Sequence, residues 1–293
     1  GKQVANFRYE VHNGRLLPVL ERWGTPYQRG YGTGYLLGSH IKDQIDTVIL
    51  PMMHAMAFDH NKSLTLKSLE KRSKKLYIIN KVNQELDGII EGMEEHFRAK
   101  GTFQKFESTS MKKSLLMALV LPDTFKQTFY LLGCTLNAYR DQETGVWSYN
   151  RQLHWPSFGK IEFIKHIDHL EGDNAFIIED CKPAGFLGAL NPSNSHLSAA
   201  VNELGKSILS KGQPYTQFLR MLIEKCKKTQ QIKIFFIYYQ NQCPSYFPAS
   251  SCLMIFKTAQ DALIVQINGA TAEFRSLGDL SFESINNHAF DRD

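Results

Sequence analysis

Around residue 130 the apolar pattern of this chain changes period, and that change limits the folds open to it. Upstream, Ile79, Val82, Leu86, Ile89, Met93 and Phe97 recur every three or four positions, the stripe of an amphipathic helix. The pattern predicts helices over 36–56, interrupted at Pro51, over 64–97 and over 111–121. An alternating segment at 7–20 predicts one or two short strands. Downstream the chain breaks into short β-branched or aromatic runs at 146–149, 161–164, 175–178, 197–201, 234–239, 253–256 and 262–267, bounded by Gly, Pro, Asn or Asp. One helix, at 215–226, interrupts them. Helices first and strands second point to α+β layers rather than an alternating parallel sheet.

The chain has 293 residues, enough for one large domain or two modest ones. Its 34 Lys and Arg against 29 Asp and Glu leave a net charge of +5, too mild and too scattered for a nucleic-acid footprint. The run Lys71, Arg72, Lys74, Lys75 reads as the solvated face of the helix over 64–97. The longest apolar-leaning stretch, 114–121, stops at Pro122 and Asp123, well short of the ~20 residues of a spanning helix, so no membrane insertion is expected. The sequence opens on Gly1, as either a removed signal peptide or an expression scar would leave. A periplasmic or secreted location is expected over a cytoplasmic one. Five cysteines are too few for a disulfide scaffold, and their odd number leaves at least one thiol without an intramolecular partner.

Some motifs carry little. Gly30-Tyr31-Gly32-Thr33-Gly34 lacks the Lys-Ser/Thr of a P-loop and the spacing of a dinucleotide fingerprint, so these are read as turn or close-packing glycines. His166, Asp168 and His169 fall short of a zinc site without further ligands, and His54, His60 and His96 read as surface or packing residues. No metal and no cofactor is expected. No G-x-S-x-G elbow is present.

The chemistry concentrates in Leu131-Leu132-Gly133-Cys134-Thr135 and in the stretch from Gly145 through Arg151, His154, Trp155 and Pro156. The pattern predicts strand, turn, strand, a hairpin that returns Arg151 to the neighbourhood of Cys134. A guanidinium beside a thiol favours the thiolate. A cut before Cys134 would free an α-amino group with a pKa of ~7.7–8.0, a general base carried by the nucleophile's own residue. Gly133 suits such a cut because it places no side chain against the sulfur.

This stretch resembles the cysteine-type N-terminal nucleophile hydrolases, the group of acyl-coenzyme A:6-aminopenicillanate acyltransferases, acid ceramidases, N-acylethanolamine amidases and bile-salt and penicillin V amidases (choloylglycine hydrolases). Their nucleophile opens a Cys-Thr or Cys-Ser start, followed by Arg-Asn-Leu-Asp-Trp/Phe about sixteen residues on; here Arg151-Gln152-Leu153-His154-Trp155 begins seventeen residues on. Several further segments are similar to the family. They are 28–34, the helical Glu85-Leu86-Asp87-Gly88, Pro183-Ala184-Gly185-Phe186-Leu187-Gly188, Arg220-Met221-Leu222-Ile223-Glu224 and Asn286-Asn287-His288-Ala289-Phe290. The likeness runs along nearly the whole chain.

The resemblance implies a four-layer α-β-β-α sandwich with a helix-rich N-terminal segment, divided at Gly133–Cys134 into an α-chain (1–133) and a β-chain (134–293) that stay associated as one domain. It implies that Cys134 cleaves the chain and then attacks a linear amide, that Arg151 sits against the thiolate and substrate, and that Asn287 donates to the oxyanion. The backbone N–H of a residue near Asn194 or Asn191 would supply a second donor. His154 stands where the family has the Asp that orients the α-amine, and no Asp between Asp141 and Asp168 replaces it. A neutral imidazole accepts through one nitrogen only, so His154 implies weaker activity, a shifted pH range, or an inactive chain of the same fold. An acyl-amide or lipid-like small molecule is the expected substrate, with Trp155, Phe129 and Tyr130 as binding residues and Phe103, Phe106 and Phe125 as further candidates. An acyltransferase, or an acyl-ester hydrolase like the phospholipase B-like proteins, is the alternative on the same scaffold. Cys243 and Cys252 form a candidate loop disulfide.

Overall fold

A computed structural model describes residues 3–57, 70–71, 74–103, 106–124, 135–152, 161–172, 176–203, 212–278 and 282–285. The fold is mixed α+β and divides into two compact units. One comprises Gly1–Lys74, Ile78–Val120 and Ser157–Ala189, the other Lys75–Tyr77, Leu121–Pro156 and Leu190–Asp293.

In the first unit, β1 (Ala5–His12) and β2 (Arg15–Arg22) form a hairpin. Asn13 and Gly14 both take positive φ, which a two-residue loop requires to match the strand twist. The sheet order is β1-β2-β5-β6, with β5 (Phe163–His169) parallel to β2 and β6 (Ile177–Pro183) antiparallel to β5. Helix α1 (Pro26–Gln44) starts at Thr25, whose hydroxyl accepts from Gln28 N while Gln28 Oε1 accepts from Thr25 N, with Pro26 in the first turn. It runs through a turn of π-helix at Ile45–Ile49 into α2 (Leu50–Ala57). The helix expected from residue 36 therefore begins ten residues earlier, with the glycine segment inside it. Gly30 and Gly34 lie against Glu85 O and Ile89 O of α3 (Asn80–Ala99), and Gly88 and Gly92 against Tyr27 O and Tyr31 O, so closely that a methyl group at any of the four would overlap a carbonyl oxygen. The glycines make a close helix pair, not a phosphate loop. Helix α4 (Ser108–Val120) follows.

The predicted helix over 64–97 is broken: residues 74–79 are turn and extended chain, and α3 begins only at Asn80. Tyr77 N donates to Gly212 O at 2.9 Å and its hydroxyl meets that of Tyr246 at 2.8 Å. These tertiary bonds pull 75–77 into the second unit, and Lys74 and Lys75 lie in the turn rather than on a helix.

The second unit holds two antiparallel sheets. One has the order β11-β3-β4 and is built from β3 (Thr135–Arg140), β4 (Trp147–Gln152) and β11 (Phe282–Ile285). The other has the order β10-β9-β8-β7, built from β7 (Ser198–Glu203), β8 (Cys252–Lys257), β9 (Ala262–Asn268) and β10 (Thr271–Ser276). They pack face to face through Leu136, Ala138 and Trp147 on one side and Ala200, Leu253, Ile255, Ala262 and Ile264 on the other. The alternate residues of the larger sheet face outward, where Phe256 and Phe274 meet Phe236 of α6 (Thr229–Gln242) at 6.4 and 5.9 Å, and Phe236 meets Phe218 of α5 (Tyr215–Lys225) at 4.9 Å. Helices, sheet and sheet are thus three successive layers of this unit.

The run 234–239, expected as a strand, lies inside α6. Thr229, Ile232, Phe236 and Tyr239 are its buried positions, spaced three, four and three apart, and this helical period overrides the β-branched composition. The expected Cys243–Cys252 bridge is also corrected: both are free thiols, Cys243 at the end of α6 and Cys252 buried at the start of β8.

Candidate functional site

The β3–β4 hairpin builds the site. Its turn is closed by Asp141, whose Oδ1 accepts from the backbone N–H groups of Thr144 at 2.7 Å and Glu143 at 3.0 Å and from the Thr144 hydroxyl at 2.8 Å. These bonds, the Thr144 backbone bond first, hold the Asp141 carboxyl below its usual range. Gly145 takes φ +69° and bonds back to Asp141 O, a conformation that glycine adopts without strain. The turn fixes the register, in which Thr135 pairs with Gln152 and Leu136 with Arg151.

Strand β11 joins β3 on its other edge with Ile285 opposite Leu136. Arg151, Leu136 and Ile285 therefore stand side by side at one end of the three-stranded sheet. Cys134 directly precedes Thr135 in the chain, and Asn287 lies two residues beyond Ile285. Cys134, His154, Trp155, Phe129, Tyr130, Phe125 and Asn287 all lie outside the described residues.

Trp147, Tyr149 and Arg151 alternate onto the inner face of β4. Trp147 is buried in the inter-sheet core, the Tyr149 hydroxyl donates to Ala199 O at 2.8 Å, and the Arg151 guanidinium closes the row. Arg151 Nε donates to Asn202 Oδ1, and Nη1 donates to Leu190 O and to Asn191 Oδ1, each at 3.3 Å. Asn202 is wholly buried on the face of β7 that also carries Ala200. Gln266, buried on the face of β9 that carries Ile264, makes the same end of the interlayer polar. All three described partners of Arg151 are neutral oxygens.

Of the two asparagines near which a second donor is expected, Asn191 stands beside Arg151 and Asn194 does not. Asn194 Nδ2 donates to Ile223 O and Cys226 O, both at 2.9 Å, where it caps the C-terminus of α5. Its Oδ1 accepts from His196 N and Leu197 N, and its own N–H donates to Leu197 O. These bonds assign Asn194 to holding a turn and a helix end.

Two groups were not anticipated as functional. Asn202 is signalled only by a polar residue alternating with Ala200 on an apolar strand. Asp123 reads in the sequence merely as the end of an apolar stretch. It is fully buried at the N-terminus of α5, where Oδ1 accepts from Tyr215 N at 3.2 Å and from the Ser250 hydroxyl, and Oδ2 has no partner among the described residues. Burial pushes its carboxyl from an ordinary 3.8 up to about 7, against the smaller pull of the Ser250 and Tyr215 bonds.

The other sequence candidates pack within the first unit. Asp168 takes both Nε and Nη2 of Arg22 at 2.6 Å, and His169 Nε2 meets Glu21 at 2.8 Å, so Asp168 belongs to an ion pair and His169 to a carboxylate contact. Phe106 stacks on Phe97 at 4.9 Å, and the Arg98 guanidinium lies 4.5 Å above the Phe103 ring. Among the described residues no three His, Cys, Asp or Glu side chains converge to hold a metal ion, and no helix is long and apolar enough to cross a membrane. No protein-family model matches the chain, and no curated protein matches its sequence.

Proposed function

We propose that this protein is a cysteine N-terminal nucleophile hydrolase that cleaves a linear acyl amide, with the four-layer sandwich of that group as its complete architecture. The observation that carries the reading is the register in which Arg151, Leu136 and Ile285 stand abreast. The chain neighbours of Cys134 and Asn287 meet there beside a guanidinium whose described partners are neutral.

In this reading the Cys134 thiolate first attacks the Gly133 carbonyl carbon. The C–N bond to Cys134 breaks, and water hydrolyses the resulting thioester, which frees the α-amino group. In turnover the α-amine takes the thiol proton as sulfur attacks the substrate carbonyl. The amide C–N bond then breaks, and the proton goes to the leaving amine. Water, deprotonated by the same amine, attacks the thioacyl carbon and releases the acid and the thiol. Arg151 favours the thiolate. Asn287 and Asn191 donate to the oxyanion, where one such donor contributes about 3 kcal/mol. His154, in place of a carboxylate, orients the amine through a single accepting nitrogen.

Intact-mass analysis of the purified chain tests this. The expected result is a cut between Gly133 and Cys134 into pieces of 133 and 160 residues, abolished in Cys134→Ala. A chain that stays whole with Cys134 unreactive toward iodoacetamide overturns the reading, and so does a Cys134→Ala variant that still cleaves.

A further inference from the structure

Among the described residues, the hairpin of the first unit carries an open edge. A two-residue loop makes His12 and Arg15 exchange both backbone bonds, and alternation assigns Glu10, Arg8 and Asn6 to the bonds with β2. Pro18, which has no N–H, stands opposite Tyr9, at a position where none is needed. Phe7, Tyr9 and Val11 therefore turn their N–H and C=O groups away from β2, on the outer edge of the sheet. Ala5 O, on that edge, accepts from the Gln3 side chain. Among the described residues nothing bonds to the outward groups of Phe7, Tyr9 or Val11.

The edge lacks the Pro and Lys that commonly blunt one, and its charged side chains, Arg8 and Glu10, are paired with each other. β1 is 8 residues long and contains no Pro and no Lys. Its apolar face runs from half-buried Phe7 to Tyr9 and Val11, which are 58% and 75% exposed, with Leu16 beside Val11 at 70%. The other face carries Arg8 and Glu10, paired at 2.7 Å, with Arg8 also on Glu21 at 2.6 Å.

We propose that β1 is a self-association edge, and that its partner is the same strand of a second copy, antiparallel about a twofold axis at Tyr9. The sequence is complementary to itself about that point. Tyr9 faces Tyr9 of the second copy, Phe7 faces its Val11, and Arg8 faces its Glu10. The outward groups of Phe7, Tyr9 and Val11 all meet partners, and an opposite-charge pair stands on each side of the axis. An axis at Arg8 or Glu10 would oppose like charges and present the wrong backbone groups; one at Phe7 or Val11 would lose the charge match. Such an interface is isologous and closed. The exposed Tyr9 and Val11 side chains become the middle of one continuous sheet.

The test is analytical ultracentrifugation of the full chain over micromolar to millimolar concentration. The wild type is expected to form a dimer. Tyr9→Pro removes an N–H that the β1–β2 ladder does not use and is expected to be monomeric. Glu10→Lys opposes Lys to Arg8 across the axis and is expected to weaken the dimer by about tenfold or more. Circular dichroism and melting establish that each variant is folded; if Tyr9→Pro does not fold, Glu10→Lys alone decides. A wild type that stays monomeric at every concentration overturns the proposal. So does a folded variant that dimerises as the wild type does.

Discussion

Two arginines hold polar clusters in this molecule, and they are held differently. Arg22 is almost fully buried, with Asp168 on Nε and Nη2 at 2.6 Å, Glu85 on Nη1 at 2.8 Å and Thr33 on Nη1 at 3.1 Å. It ties β2, β5, α1 and α3 together, and its charge is answered by two carboxylates. Arg151 is half-buried, and its described bonds are longer and reach neutral oxygens only. The same contrast separates two buried aspartates. Asp168 is clamped by a guanidinium, whereas Asp123 accepts from one backbone N–H and one hydroxyl. A charge matched inside the protein locks structure; a guanidinium set among dipoles keeps its field for an anion that arrives or forms.

The most severe way to test that contrast is Arg22→Ala. It takes the guanidinium away from the buried Asp168 and Glu85 carboxylates, and breaking a buried ion pair from one side costs about 3–5 kcal/mol. Urea denaturation is expected to show a loss of that size. A loss below about 1 kcal/mol, the scale of a surface pair, would remove the distinction between the two arginines.

Asp123 sharpens the same point through pH. Its folded pKa of about 7 lies above the ordinary 3.8, so between those values the folded state binds more protons than the unfolded one. Stability is therefore fullest below about pH 4 as far as this group is concerned, and it falls as pH rises toward 7. The fall is on the order of 4 kcal/mol at most, at 1.36 kcal/mol for each pKa unit. Asp123→Asn carries no charge at any pH, and its stability profile is expected to lose that descending limb. Urea midpoints at pH 4.5 and 7.5, compared between wild type and variant, measure it; parallel profiles would show that Asp123 is ionised and accommodated.

The sequence made some of this legible. The turn at Gly145 marks its hairpin in the sequence, the alternation at 7–20 gives the strands of the first hairpin but not its Asn13-Gly14 turn, and the helix at 215–226 is present as Tyr215–Lys225. Local rules failed where a distant segment decides. Glycine propensity argues against a helix through Gly30 and Gly34, and only the matching Gly88 and Gly92 on α3 explain it. Six β-branched or aromatic residues at 234–239 read as a strand until Phe236 is seen packed on Phe256 and Phe274. Arg151 was singled out from its distance to Cys134. Asn202 was not, because a single Asn ending an apolar strand reveals nothing of the guanidinium opposite. The alignment of Ile285 with Leu136 joins segments nearly 150 residues apart, and no local pattern encodes it.

Arg151→Ala is the finest test. The variant removes three long guanidinium hydrogen bonds but leaves no carboxylate facing it among the described residues, so a stability loss of about 1.5–3 kcal/mol is expected, the scale of a hydrogen bond to a charged group and below that of a broken buried ion pair. The thiol should report more. If the guanidinium stabilises the Cys134 thiolate, its removal raises the thiol pKa, and alkylation by iodoacetamide at pH 7 slows by about tenfold for each unit. The rate-against-pH curve then shifts to higher pH, and Arg151→Lys, which keeps a positive charge, recovers part of the shift. Arg22→Ala, for as long as it stays folded, is expected to leave that curve in place, because the Arg22 charge is already matched by Asp168 and Glu85. Superimposable curves for wild type and Arg151→Ala would place both arginines in the same structural role.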